Sequence, residues 1–248
     1  MKILDLFAQR TGQIALLIDP EKSFEPSLLE ELVKKAEIGK IDFLFVGGST
    51  VTRKAIEEVV LTLKKLTKIP VILFPGASHQ LSKDADALLF LNLISGRNPD
   101  YLIGHQVAGA EEIFDMPIEV ISTSYLLIDG GTASSVAYVS QTTPIPQHQV
   151  RIATNTAKAG FLMGHQVVYM DAGSGAKNTV PIEMIESISQ SLASPLIVGG
   201  GIRSIETVKS LSTAGVNVIV IGNKIESDID FLLDLGSLKS ASVEKNEL

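Results

Sequence analysis

The stretch VVYMDAGSGA, residues 167–176, sets the reading of the rest of the chain. Val167 to Asp171 is a short apolar run that ends in a carboxylate, the pattern of a buried strand. Gly173, Ser174 and Gly175 follow with almost no side chain, so their backbone N–H groups can approach an anion. Tyr169 and Asp171 are two residues apart and point to the same side of a strand. A phenol and a carboxylate at a strand end beside a glycine loop suggest a catalytic floor; an ordinary strand followed by a turn has the same pattern.

The pattern returns twice downstream. PLIVGGG (195–201) and NVIVIGN (217–223) are apolar runs closed by glycine and followed by helix-like segments. Upstream, QIALLID (13–19), DFLFVGG (42–48), Pro70 to Phe74, ALLFLN (87–92) and Ile118 to Ile128 read as five more strands. Helical spacing marks Ser27 to Glu37, Val51 to Leu66 and Pro99 to Phe114, then about Pro146 to Met163. It continues through Pro181 to Leu192 with proline at its start, Ile205 to Ala214 with Ser204 as N-cap, and Ile225 to Leu235. Met1 to Gln9 predicts a short helix packed across a barrel end. Eight strands bridged by helices predict an α/β chain closed as a TIM-like (β/α)8 barrel, one domain over residues 1–248.

Three segments depart from that rhythm. Ala77 to Asp86 is too short and polar for a helix, so the third barrel helix is expected to be missing or replaced by extended chain. Ser134 to Gln149, rich in Ser, Thr, Gln and Pro, reads as a loop or lid, and the last dozen residues as a frayed polar tail. GHQV occurs at Gly104 to Val107 and at Gly164 to Val167, a weak sign of duplication.

The 248 residues match the roughly 250 typical of such a barrel. Hydrophobic residues make up 45% and charged residues 20%, and the mean hydropathy is +0.29. That leaning suits a well-filled barrel, a greasy ligand channel or a subunit interface. The net charge of −7, with no clustered Lys or Arg, argues against nucleic acid or an anionic membrane as the main partner. The absence of cysteine removes disulfides, thiolate metal sites and a Cys nucleophile, and fits a reducing cytoplasm. The start lacks a signal-like apolar core, and no apolar run approaches the ~18 residues of a membrane span. The expectation is a cytoplasmic protein that is not integral to a membrane.

In a barrel of this class the residues just after the strands share the active face. Asp19, Ser49, Thr50, Tyr169, Asp171 and Ser174 fall there. So do Gly199 to Gly201, after strand seven, and Gly222 with Asn223, after strand eight, where such barrels hold a phosphate on backbone N–H groups. Asp19 with a serine hydroxyl could hold Mg²⁺ by a few oxygens, leaving the rest of its shell to water and a diphosphate; capping of the next turn explains Asp19 equally well. His79, His105, His148 and His165 show no metal-ligand spacing and read as structural contacts, His105 being the least ordinary.

IDPEK (18–22), VGGST (46–50), YMDAGSGA (169–176), PLIVGGGIRS (195–204) and IGN (221–223) together resemble the geranylgeranylglyceryl phosphate synthases and their bacterial heptaprenylglyceryl phosphate synthase relatives. The resemblance runs through nearly the whole chain, and Phe74 to Gln106 is similar to the subgroup of some archaea and Bacteroidetes. It implies a prenyl transfer, in which the C3 hydroxyl of sn-glycerol 1-phosphate attacks C1 of a polyprenyl diphosphate, with geranylgeranyl as the subgroup's donor. It also implies Mg²⁺ on Asp19 and Ser49, a replaced third barrel helix, and a homo-oligomer. Glycerol 1-phosphate would lie on Tyr169, Met170, Asp171, Ala172, Gly173, Ser174 and Gly175, on Gly200 with Gly201, and on Gly222 with Asn223.

The resemblance makes Asp171 the candidate base and Tyr169 the residue that orients the glycerol or faces the allylic charge. The commoner family pattern has Glu at the position of Asp171, so here the acid is one methylene shorter and either the glycerol sits closer or a water bridges. The prenyl chain needs an apolar trench, expected from the strand-four and strand-five region with the Pro99 to Phe114 helix. Two other readings stay open on the residues: another phosphate-handling barrel enzyme, an isomerase or synthase, and an inactive barrel that binds a phosphorylated lipid precursor.

Overall fold

Period-two alternation between two buried layers organises the strands. In the computed structural model, which describes residues 1–22 and 26–244, the eight apolar runs become parallel strands that close into a barrel in chain order. They are β1 (Gln13–Ile18), β2 (Phe43–Val46), β3 (Val71–Leu73), β4 (Ala87–Asn92), β5 (Glu119–Leu127), β6 (Val167–Asp171), β7 (Leu196–Gly199) and β8 (Val218–Ile221). Alternate side chains point into the barrel and out to the helices. Phe43, Phe45, Ile121, Tyr125, Val167 and Tyr169 pack inside, whereas Leu44, Val46, Leu126, Val168 and Met170 join the outer layer.

The helices of the outer ring are α2 (Pro26–Ile38), α3 (Arg53–Leu66), α4 (His105–Asp115), α6 (Val150–Leu162), α7 (Ile182–Ser189) and α8 (Ile205–Thr213). Ser204 caps α8 as expected, its hydroxyl accepting the Thr207 N–H. Pro181 stands one residue before α7, as its N-cap. α1 (Ile3–Ala8) closes the lower end of the barrel, where Phe7 is fully buried and meets the Phe43 ring edge-on at 4.9 Å. Gln13 ties the two together by donating to the Phe7 carbonyl.

Between β3 and β4 the chain forms turns and extended segments with no helix. Gln80, Leu81, Ser82 and Ala85 of this segment are nevertheless buried. Gln80 donates to the Val51 carbonyl and accepts the Gly76 N–H, and the Asp86 carboxylate takes the Val71 N–H and the Lys64 ammonium. These side-chain bonds supply what a helix would otherwise satisfy internally.

Five expectations need correction. The predicted loop at Ser134 to Gln149 contains a short helix, α5 (Ser135–Ser140), because the Ser134 hydroxyl caps it and Val136 packs inward. The predicted helix over Pro99 to Phe114 begins with a π-helical turn, Asp100–Gly104, before α4. The predicted helix after β8 is two helices, α9 (Asn223–Ser227) and α10 (Phe231–Glu244), broken at Asp228 to Asp230. α10 carries Ser237 to Glu244, the first part of the tail expected to fray, and residues 245–248 lie outside those described. Its anchor is a close approach: a Cβ on Gly236 would stand 2.9 Å from the Cα of Gly39. The two GHQV segments are unlike each other, one in the helix at 104–107 and one in the turn entering β6, so they mark no structural repeat. Among the described residues, no helix is long and apolar enough to cross a membrane.

Candidate active site

The carboxyl ends of the strands surround a cavity of about 360 Å³. Asp19, Ser49, Tyr169, Asp171, Gly173, Ser174, Gly175, Gly200, Gly201, Gly222 and Asn223 all line it. Met170 and Ala172, also expected at the ligand, do not. Their side chains are buried in the outer layer, because residues that alternate along a strand cannot share a face.

The floor is aromatic around one carboxylate. Tyr169 is fully buried, stacks on Phe74 at 4.9 Å between ring centres, and meets Tyr125 edge-on at 5.4 Å. Strand pairing places Tyr125 beside Tyr169 and Leu127 beside Asp171. From there the Tyr125 hydroxyl donates to Asp171 Oδ2 at 2.6 Å, while Oδ1 accepts the Gly173 N–H at 2.7 Å. Burial raises the Asp171 pKa above its ordinary value, and these two bonds hold it back. Burial and the neighbouring carboxylate push both phenols well up, so both keep their protons. The floor thus offers a carboxyl group more basic than a free one.

Sequence reading missed two members of this cluster, Phe74 and, with more consequence for the carboxylate, Tyr125. Tyr125 lies two residues before the end of β5, as Tyr169 lies two before the end of β6, and that common offset was the available signal.

On one side of the floor the loops after β6, β7 and β8 converge. Gly173, Gly175, Gly200 and Gly201 all have positive φ, between +72° and +92°. A side chain at Gly200 would lie 2.8 Å from the Gly173 nitrogen, and one at Gly201 2.5 Å from the Asn178 carbonyl oxygen. Gly199 leaves room for the Tyr169 hydroxyl, which would sit 2.8 Å from a Cβ there. Asn223 Oδ1 joins two of the loops by accepting the Gly175 N–H at 2.9 Å and the Ser174 hydroxyl at 3.1 Å. The N–H groups of Gly200, Gly201 and Gly222 have no protein acceptor among the described residues and are available to an anion.

On the opposite side stand oxygen donors. Asp19 is half-buried, its pKa raised by that burial, with Oδ1 accepting the Glu21 N–H. Gly48 closes on it so tightly that a Cβ would lie 3.0 Å from Oδ1. Ser49 and Thr50 follow on the same rim, and the Thr50 hydroxyl donates to Glu21 at 3.0 Å. One carboxylate and nearby hydroxyls form a hard, all-oxygen donor set suited to a cation that keeps most of its shell for water and phosphate. No group of three or more His, Asp or Glu able to cage a metal occurs among the described residues.

From the floor the cavity extends as an apolar trench between the helix-free segment after β3 and the helix after β4. Phe74, Leu81, Leu89, Leu91, Tyr101 and Ile113 line it, with Val136 and Val139 of α5 beside it. Strand five, expected to supply part of this wall, contributes Tyr125 alone. His105 borders the trench with its ring edge-on to Tyr101 at 4.8 Å. His165 bonds Ser124 at 2.7 Å and His79 meets the Val51 carbonyl, both structural contacts.

A buried carboxylate, a glycine-built nest, an oxygen-lined rim and an apolar trench thus meet in one cavity, and the chain as a whole is similar to known proteins. The geranylgeranylglyceryl phosphate synthase of Chitinophaga pinensis is 43% identical over 239 residues, covering 96% of this chain and 94% of that protein. That of Korarchaeum cryptofilum is 39% identical over 234 residues, covering 94% and 95%. The crystal structure of (S)-3-O-geranylgeranylglyceryl phosphate synthase from Thermoplasma acidophilum, in complex with its substrate sn-glycerol-1-phosphate, superposes with a TM-score of 0.88 at 33% identity, covering 95% of this chain and 96% of that one. The chain matches the PcrB family across residues 8–236 and belongs to it.

Proposed function

We propose that this protein joins a polyprenyl diphosphate, geranylgeranyl by preference, to the C3 hydroxyl of sn-glycerol 1-phosphate. The observation that carries this reading is Asp171, a buried carboxylate placed between a glycine-built anion nest and an apolar trench. The glycerol phosphate group lies on the N–H groups of the β7 and β8 loops, where the positive φ of Gly200 and Gly201 turns the backbone toward it. That seat brings the C3 hydroxyl to Asp171. The new bond joins that oxygen to C1 of the prenyl chain, the bond from C1 to the diphosphate oxygen breaks, and the hydroxyl proton passes to the Asp171 carboxylate. Tyr125 holds the carboxylate in place, and the rings of Tyr169 and Phe74 face the positive charge that develops on the allylic carbon.

Mg²⁺ bound through Asp19 and Ser49 would neutralise charge gathering on the leaving diphosphate. Asp19 also helps shape the rim through its bond to the Glu21 N–H. The shorter side chain at 171 is accommodated by Tyr125, whose hydroxyl reaches the carboxylate directly. An engaged, strongly desolvated acid at the floor favours catalysis over passive binding of a phosphorylated lipid precursor.

The chain works as one domain over residues 1–248, and its lack of cysteine fits the cytoplasm. Ile103, Val107 and Phe114 are exposed at helical spacing on one face, which supports assembly into a homo-oligomer.

Incubation with radiolabelled glycerol 1-phosphate, Mg²⁺ and geranylgeranyl diphosphate, in parallel with farnesyl and heptaprenyl diphosphates, tests the reading. A lipid-extractable label that disappears in Asp171→Ala is the expected result. No labelled lipid with any donor, despite binding of glycerol 1-phosphate, would leave only a binding protein.

A further inference from the structure

One charged member of the IDPEK stretch has no part in the chemistry described so far. Lys22 stands on the cavity rim with its ammonium 3.2 Å from both carboxylate oxygens of Glu226 and 3.8 Å from Asp19 Oδ2. It thereby bridges the loop after β1, which carries the oxygen donors, and α9, which follows the β8 glycine.

The cavity has to accept two anions, yet its own charge is unfavourable. Four carboxylates line it, Asp19, Glu21, Asp171 and Glu226, against three cations, Lys22, Arg203 and Lys224. Two of these cations are engaged with groups outside the cavity or in its frame. Arg203 donates to the Ala176 carbonyl at 2.7 Å and so fastens the β6 loop. Lys224 pairs with Asp228 at 2.7 Å and lies over the Phe231 ring. Lys22 alone among them is paired with carboxylates that themselves line the cavity, and both its side chain and that of Glu226 are partly open to solvent. An ion pair so exposed contributes little stability, so Lys22 leaves Glu226 readily for a more highly charged partner. A diphosphate arriving beside Asp19 would be such a partner, since a phosphate oxygen forms a strong charge-assisted bond with an ammonium.

We propose that Lys22 is the residue that grips the diphosphate of the prenyl donor, and that Glu226 holds it in waiting at the rim until the donor arrives. This rests on the prenyl-transfer reading above. Glu226 also accepts from Asn223 Nδ2 at 3.4 Å, and Asn223 in turn holds the Ser174–Gly175 loop, contacts that do not involve Lys22 and stay in place when it turns to the diphosphate.

Titration calorimetry with inorganic pyrophosphate plus Mg²⁺, and separately with glycerol 1-phosphate, tests the assignment on the intact chain. In Lys22→Met the dissociation constant for pyrophosphate is expected to rise about tenfold or more, the loss of one charge-assisted bond, while that for glycerol 1-phosphate changes by less than about twofold. Lys22→Arg restores most of the pyrophosphate affinity. Glu226→Gln, which frees Lys22 but keeps an acceptor for Asn223, is expected to bind pyrophosphate about threefold more tightly, a gain that a merely structural Lys22–Glu226 pair would not give. Unchanged pyrophosphate binding in Lys22→Met overturns the proposal, as does an equal loss for glycerol 1-phosphate, which would place Lys22 on the other anion. Failure of the wild-type protein to bind pyrophosphate at all overturns the prenyl-transfer reading itself.

Discussion

Around β6, β7 and β8 the cavity wall is backbone; around β3 and β4 it is side chain. On the first side, glycines with left-handed φ bring loops into contact at distances that leave no room for a Cβ, and Asn223 bonds two of them together. On the second, Leu81, Leu89 and Leu91 face a trench opened by the missing barrel helix. A small, doubly charged headgroup needs directed donors in fixed positions, and backbone supplies them at little entropic cost. A long hydrocarbon needs only dry volume, which side chains of many shapes provide. The lesson is that single substitutions should be severe and specific to glycerol phosphate on one side, graded and specific to the donor on the other, and worst where the two sides meet.

The meeting point is Asp171. Asp171→Ala is expected to lower kcat/KM by about 10²–10⁴-fold, the range for loss of a general base, with both substrates still bound. Steady-state kinetics with calorimetric binding check it, and a loss of glycerol phosphate binding in step with activity would make Asp171 a binding group instead. Next in size is Gly200→Ala. With φ at +87° and a Cβ 2.8 Å from the Gly173 nitrogen, strain of about 1–3 kcal/mol is expected, seen as a lower unfolding midpoint and a raised KM for glycerol 1-phosphate alone.

On the other wall, Leu91→Trp should fill the trench and discriminate against heptaprenyl relative to farnesyl diphosphate by about 10–200-fold, with KM for glycerol 1-phosphate unmoved. Equal loss with all donors would show that the prenyl chain does not run past Leu91.

Tyr125→Phe gives a smaller effect with a distinctive direction. The Tyr125 hydroxyl lowers the Asp171 pKa, so its removal is expected to move the acid limb of the kcat/KM profile to higher pH. The sign for stability follows from burial, which raises the Asp171 pKa above its ordinary value of 3.8 in the folded state. The native state therefore binds that proton more tightly, and its contribution, complete below the ordinary value, is lost as pH rises through the raised one. Asp171→Asn cannot make this change. Its stability relative to wild type should improve over that interval, measured by denaturant unfolding at a series of pH values. The smallest effect expected is on the outer surface, where Arg53 of α3 joins Glu112 of α4 with both side chains about half exposed; Glu112→Ala should cost no more than about 1 kcal/mol.

The sequence by itself determined the strands, because eight apolar runs ending in Gly, Pro, Asp or Asn leave a parallel barrel as their natural closure. It determined the ends of β4 and β6 to the residue, the cap at Ser204, and the absence of a helix between β3 and β4. It also marked the glycines of the anion nest, through the recurrence of GSG and GGG after successive strands.

Which neighbours those residues acquire was decided by the tertiary structure. Tyr125 becomes a partner of Asp171 only through the register of β5 against β6, forty-six positions apart in sequence. Met170 and Ala172 leave the site because strand alternation turns them outward. Lys22 meets Glu226 across 204 positions only because a closed barrel sets the β1 end beside the β8 end. Local propensity and period are properties of a few consecutive residues, whereas the charge, burial and bonding of a site are set by side chains that only closure of the barrel brings together.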